Sequence, residues 1–137
     1  MEDEAQHFLG KVAQKAIIEK DGKVLLTRFP TDKKWDLPGG RIHGGERPTE
    51  ALQREIMEEL GVEVIIKKPV FVGMTKTDAT GEERYFVAFA AELADPKQTF
   101  TLQEDEVAEV RWVGQNELNA APIFDVCREA AHAYFRS

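Results

Sequence analysis

Disulfide bonding is the first possibility to fall. The 137 residues include one cysteine, Cys127, so no internal disulfide can form and no cysteine spacing suggests a metal site. Lysine- or arginine-rich runs are also missing. With 25 acidic against 18 basic residues the net charge is −7, which argues against binding a nucleic-acid polymer through its phosphates. No apolar run approaches the ~20 residues that cross a bilayer, and no stretch reads as a signal peptide. A cytoplasmic protein with no membrane partner is therefore expected. Repeats, low-complexity segments and linkers are absent as well, so residues 1–137 are expected to form a single domain, long enough to bury a core.

What the chain does have is concentrated between Gly39 and Val62, GGRIHGGERPTEALQREIMEELGV. Pro48 suits the first turn of a helix, where its missing N–H costs nothing, and Gly61 suits the residue just past the end. Thr49 to Leu60 is rich in helix formers. At about 100° per residue, Glu55, Glu58 and Glu59 fall within an arc of roughly 100°, and Leu52, Ile56 and Leu60 occupy the adjoining stripe. One side of this helix docks on a core and the next carries three carboxylates.

Carboxylates at such spacings repel one another by a few tenths of a kcal/mol per exposed pair. In a cleft they would cost far more without a positive charge between them. A hard divalent cation supplies it: Mg²⁺ takes oxygen ligands, keeps several waters, and is usually held by one or two carboxylates together with substrate phosphates. An acidic protein that handles polyphosphates needs such a cation to reverse the local field. The glycines ahead of the helix allow close backbone approach, and Arg54 can orient a carboxylate or pair with phosphate.

The remaining chain alternates strand and turn signals. KVAQKAIIE and KVLLTRF flank Asp21-Gly22, a tight-turn dipeptide, and predict a hairpin within Phe8 to Arg28. Met1 to Glu4 is expected to be a frayed end or an edge extension. Val62 to Ile66 and Val70 to Met74 are two short apolar runs separated by Lys67, Lys68 and Pro69. Thr75 to Glu83 is polar, Arg84 to Leu93 is the longest strand candidate, and Glu109 to Val113 the last. Pro122 to Phe135 fits an amphipathic helix packed on a sheet. The pattern alone indicates an α/β or α+β class with a mixed sheet.

The spacing of Gly40, Glu46, Arg54-Glu55, Ile56, Glu58-Glu59, Gly61 and Val62 resembles the Nudix box at every specified position. With ordinary residue frequencies a chance match is on the order of 10⁻⁹ per window. The resemblance implies an α-β-α sandwich and hydrolysis of a diphosphate linked to another moiety. Glu55, Glu58 and Glu59 are the implied Mg²⁺ ligands, joined by the Gly39 carbonyl, with Mn²⁺ as a substitute metal. Glu46 and Arg54 are implied to hold loop and helix together. The general base is left open between Glu55 and a residue of the acidic run Glu104, Asp105 and Glu106, with Glu106 its candidate. Proteins that this one resembles are commonly homodimers.

Substrate contacts are less marked. Arg28 and Arg41 lie close to the box and are candidates for phosphate, Asp125 for a base edge, and His43 for substrate. Trp35 and Trp112 could stack on a base, although large aromatics are more often core anchors. Tyr85 and Phe86 should point to opposite faces of their strand. The proline of ADP-ribose hydrolases is absent from Thr77 and Asp78, and the tyrosine of dinucleoside-polyphosphate hydrolases from Ala79 and Thr80. These absences favour a small nucleoside triphosphate pyrophosphohydrolase that releases a monophosphate and pyrophosphate. An ADP-ribose or nucleoside diphosphate sugar hydrolase is the alternative enzyme. A nucleotide-binding module without catalysis is the alternative of another class, and it would not need the complete carboxylate set.

Overall fold

The computed structural model describes residues 7–77 and 80–137. The expected frayed end at Met1 to Glu4 and two of the substrate-marker positions, Asp78 and Ala79, lie outside the described residues. Strands β1 (Lys11–Lys20) and β2 (Lys23–Arg28) form the hairpin around Asp21-Gly22. The short strand β3 (Gly39–Arg41) leads to helix α1 (Pro48–Leu60). Strands β4 (Val64–Lys76) and β5 (Glu83–Leu93) form a second hairpin. Strand β6 (Glu109–Gly114) runs into a single 3₁₀ turn, and helix α2 (Asp125–Arg136) closes the chain.

The strands make one mixed sheet in the order β4-β5-β1-β2-β6. Its axis is β1, which pairs in parallel with β5 from Lys11 to Ile18. Its other edge is shared between β3, opposite Ala13 to Lys15, and β2, opposite Glu19 and Lys20. Strand alternation sorts the central side chains onto two faces. Ala16, Ile18 and Leu25 pack with Leu52, Ile56 and Leu60 of α1. Ile17, Val24 and Leu26 pack with Cys127, Ala130 and Ala131 of α2. A strand covered on both sides reads as a nearly continuous apolar run, as AIIE and VLL do. The α-β-α sandwich and the mixed α+β class are thus present.

Three local features differ from expectation. The two apolar runs after α1 are one strand, because a register irregularity between Ile66 and Phe71 absorbs Lys67, Lys68 and Pro69 without breaking the pairing to β5. The glycine pair at Gly39 and Gly40 is itself strand, pairing with Lys15 and Gln14. Trp35, a candidate base-stacking residue, is 8% exposed and belongs to the apolar core under α2. Trp112 also packs inward, its ring centroid 6.3 Å from that of Phe100. Tyr85 and Phe86 do diverge: Phe86 is buried and Tyr85 exposed. Among the described residues no helix is long and apolar enough to cross a membrane.

Candidate functional site

Helix α1 is fixed at both ends and along one side. Pro48 opens it, and Gly61 ends it in the left-handed conformation at φ 67°, its N–H donating to the Met57 carbonyl at 2.9 Å. The buried Gln14 amide reaches across from β1 and donates to the Pro48 carbonyl at 2.6 Å. With Ala51, Leu52, Ile56 and Leu60 buried, Glu55, Glu58 and Glu59 are turned toward the loop that precedes the helix.

Arg54 ties that loop to the helix. Its Nε and Nη2 donate to the two Glu46 oxygens at 2.7 and 3.0 Å, a bidentate pair. The hydrogen bond from Arg54, then one from the His43 backbone N–H, bring the Glu46 carboxyl down to about 2. Nη1 of the same guanidinium lies 3.1 and 3.2 Å from the Glu58 oxygens and 3.4 Å from Glu55 Oε1. One cation therefore faces three carboxylates, and it is already committed to Glu46.

Backbone and carboxylate meet at the glycine pair. Gly39 sits at φ 150°, a conformation that side-chain-bearing residues rarely adopt. A Cβ there would fall 2.8 Å from Lys15 Cα, and at Gly40 it would fall 2.5 Å from Glu55 Cδ and 2.7 Å from Oε2. Gly40 thus leaves a cradle of the size of one methyl group, filled by the Glu55 carboxylate. Glu59 is pushed up to about 7, chiefly by burial, with the charges of Glu55 and Glu106 adding to the rise. Lys15 and a hydrogen bond from the Gly39 backbone oppose it.

The influence of Glu106 has a structural origin. The loop after β5 is tied to the last turn of α1, where carbonyls lack helical partners. Thr101 N–H donates to the Leu60 carbonyl and Gln103 N–H to that of Glu59, both at 2.9 Å. Glu106 follows in a turn closed by its own N–H on the Gln103 carbonyl at 2.8 Å. Its carboxylate is exposed on the same side as Glu59.

The donor set fits a hard divalent cation: it is all oxygen, it carries excess negative charge, and a backbone cradle holds one carboxylate in place. Among the described residues no three acidic, histidine or cysteine side chains converge at ligand distance on one point, and Glu58 is turned onto Arg54. Its side chain is 53% exposed and has room to swing.

The candidates outside the box are placed differently. Arg28 is engaged by Glu109, Nη2 to Oε1 at 2.8 Å, and by the Asp32 carbonyl, and it lies over the Trp35 ring. Arg41 is exposed at the end of β3, and its carbonyl is 3.4 Å from Arg54 Nη2. His43 is exposed, with its backbone N–H on Glu46 at 2.9 Å. Asp125 opens α2, is highly exposed, and pairs with Arg128 at 3.1 Å. The structure gathers Gly39, Glu46, Arg54, Glu55, Glu58, Glu59 and Glu106, and leaves Arg28, Trp35 and Asp125 outside that group.

Two residues not singled out by motif or spacing stand beside it. Lys15 and Asp36 form an ion pair at 3.3 Å on the α2 side of the sheet. The sequence carries one signal of it, since Lys15 has the same strand parity as the buried Ile17, where an apolar residue is the rule.

Comparison with known proteins shows the family. The NUDIX domain model matches residues 11–133. A nucleoside triphosphatase NudI of Escherichia fergusonii is 33% identical over 114 residues, covering 74% of this chain and 80% of its own. A CTP pyrophosphohydrolase of Escherichia coli is 30% identical over 112 residues, covering 79% and 78%. The crystal structure of a MutT NUDIX hydrolase from Burkholderia pseudomallei superposes with a TM-score of 0.76 at 26% identity, over 90% of this chain and 96% of that one. With the family model spanning nearly the whole fold and the box intact, the chain belongs to the Nudix family and is a Nudix hydrolase.

Proposed function

We propose that this hydrolase is an Mg²⁺-dependent nucleoside triphosphate pyrophosphohydrolase that yields a nucleoside monophosphate and pyrophosphate. The observation that carries the reading is the carboxylate cluster of α1, packed against the glycine strand and short of positive charge. The names of the relatives, a nucleoside triphosphatase and a CTP pyrophosphohydrolase, support the choice of substrate class.

In this reading Glu55, Glu58 and Glu59, with the Gly39 carbonyl, hold the cation, and Mn²⁺ can replace Mg²⁺. When bound, such a cation polarises phosphoryl oxygens and lowers the pKa of water. The chain's own groups do the rest. Arg54, clamped by Glu46, holds the loop at a fixed distance from the helix and orients Glu58. Glu106, exposed beside Glu59, accepts the proton of the attacking water. Oxygen bonds to phosphorus as the phosphoanhydride bond breaks, and pyrophosphate leaves with the electron pair. In this reading Arg41, exposed at the end of β3, meets the substrate phosphate.

A product-resolved panel tests this. Nucleoside triphosphates should give monophosphate and pyrophosphate with Mg²⁺. Two monophosphate products from ADP-ribose or a nucleotide sugar, with triphosphates untouched, would move the enzyme to the other substrate class.

A further inference from the structure

The sheet face under α2 carries a charge pair that the hydrolytic steps do not use. Alternation along β1 puts Ala13, Lys15 and Ile17 in one row, and the other two pack in the apolar core. Lys15 interrupts that row with its ammonium 3.3 Å from Asp36 Oδ1, the side chains being 16% and 33% exposed. Replacing a buried ion pair by apolar side chains is often neutral or stabilising, so the pair is weak as a stability device.

Its construction is that of a held acceptor beside a donor. Asp36 is fixed by a reciprocal backbone pair with Thr27, at 2.7 and 2.8 Å. Three donors converge on Oδ1: the Leu37 N–H at 2.7 Å, the Cys127 thiol at 3.0 Å and Lys15 Nζ. Among the described residues none donates to Oδ2, and Nζ, with three N–H groups, has Asp36 as its one partner. Both groups thus keep bonding capacity, and Asp36 keeps it at a partly open position that a ligand can reach.

The pair also adjoins the phosphate end of the site. Lys15 pairs with Gly39 across β1 and β3, and Asp36 precedes Gly39 by three residues. The Gly39 backbone in turn faces the Glu59 carboxylate. The carboxylate cluster and the ion pair therefore flank the same short strand from opposite sides.

We infer that Lys15 and Asp36 read the nucleobase, Asp36 Oδ2 accepting from the 4-amino group of a cytosine and Lys15 Nζ donating to the ring acceptor beside it. Aspartate accepts from cytosine N4 in nucleic-acid recognition by the same logic. Uracil would turn a carbonyl toward the carboxylate, leaving two acceptors opposed. Cys127, whose thiol reaches Asp36 from α2, is a positioning residue for the carboxylate. The inference rests on the reading of the enzyme as a nucleoside triphosphate hydrolase.

The test compares wild type, Asp36→Asn and Lys15→Gln. It measures pyrophosphate release from CTP and UTP, and calorimetric binding of CMP and UMP with metal chelated. Wild type should favour cytosine over uracil by about tenfold or more in kcat/KM and in affinity. Asp36→Asn, which keeps the shape and can turn an N–H₂ toward the uracil carbonyl, should flatten or reverse the preference. Lys15→Gln should weaken binding of both monophosphates. An unchanged cytosine-to-uracil ratio in folded Asp36→Asn, or a wild type indifferent to the base, overturns the inference and leaves the hydrolase reading standing. Wild type that releases pyrophosphate from no triphosphate overturns the hydrolase reading instead, while monophosphate binding still decides the role of the pair. If Lys15→Gln does not fold, Asp36→Asn alone carries the test, because its Leu37 and Cys127 bonds remain available.

Discussion

The two faces of the sheet treat charge in opposite ways. Under α2, one largely buried cation meets one partly buried anion, and Lys15 and Asp36 cancel within 3.3 Å. On the α1 side, Glu46, Glu55 and Glu58 share a single guanidinium, and Glu59 and Glu106 add further negative charge nearby. Burial opposes charge on both faces, yet with different results. Lys15 is held above its ordinary value although burial by itself would lower it, because Asp36 and other anions outweigh burial. Glu59 is driven toward neutrality, because burial and like charges act together. A balanced cluster can stand alone, whereas an unbalanced one is built for a cation that arrives from outside.

The strongest way to break this contrast is to remove one carboxylate from the unbalanced side. Glu58→Gln should lower kcat by orders of magnitude and leave folding intact. Arg54 keeps its bidentate bond to Glu46, and the exposed Arg54–Glu58 pair is worth little. Near-normal turnover of the folded variant at saturating Mg²⁺ would remove Glu58 from the metal site. Next in size is Glu106→Gln, expected to reduce kcat by about 10²-fold with KM nearly unchanged. An unaltered rate would transfer the base to Glu55.

A structural control follows. Leu52→Ala removes a fully buried side chain from the apolar stripe that seats α1 and should cost about 2–5 kcal/mol by denaturant unfolding. A loss under 1 kcal/mol would mean that α1 is held by its charged clasp rather than by its core contacts.

The smallest effect is in proton linkage. Without metal, the folded protein holds the Glu59 proton up to about 7, whereas the unfolded chain releases it near 4.5. Native protein then binds more protons than unfolded protein across that window, so stability should fall as pH rises from 4.5 to about 7. The full span corresponds to about 3 kcal/mol as an upper bound. Mg²⁺ should restore more stability at pH 8 than at pH 5. Equal stabilisation at both values would separate Glu59 from the cation.

Much of this was legible in the residues themselves. Pro48, Gly61 and the stripe Leu52, Ile56 and Leu60 determine α1, and all are local signals. The Glu46–Arg54 clasp was legible because the resemblance to the Nudix box implies it. Strand β3 was not, since glycines have low strand propensity, and here the pairing with Lys15 and Gln14 overrides it. Nor was the continuity of β4, where an irregular register carries Pro69 through the strand. The Lys15–Asp36 pair joins residues 21 apart, and Asp36 meets Cys127 from 91 residues away. No periodicity reports such a meeting, which depends on the completed sheet and on α2 lying across it.

The most direct test of the central claim is Mn²⁺ binding followed by electron paramagnetic resonance, in wild type and in Glu58→Gln. Wild type should bind the ion saturably, Mg²⁺ should compete for it, and the variant should lose at least tenfold in affinity while remaining folded. Equal Mn²⁺ affinity in the two proteins, or triphosphate hydrolysis by wild type that survives complete chelation, would contradict the account.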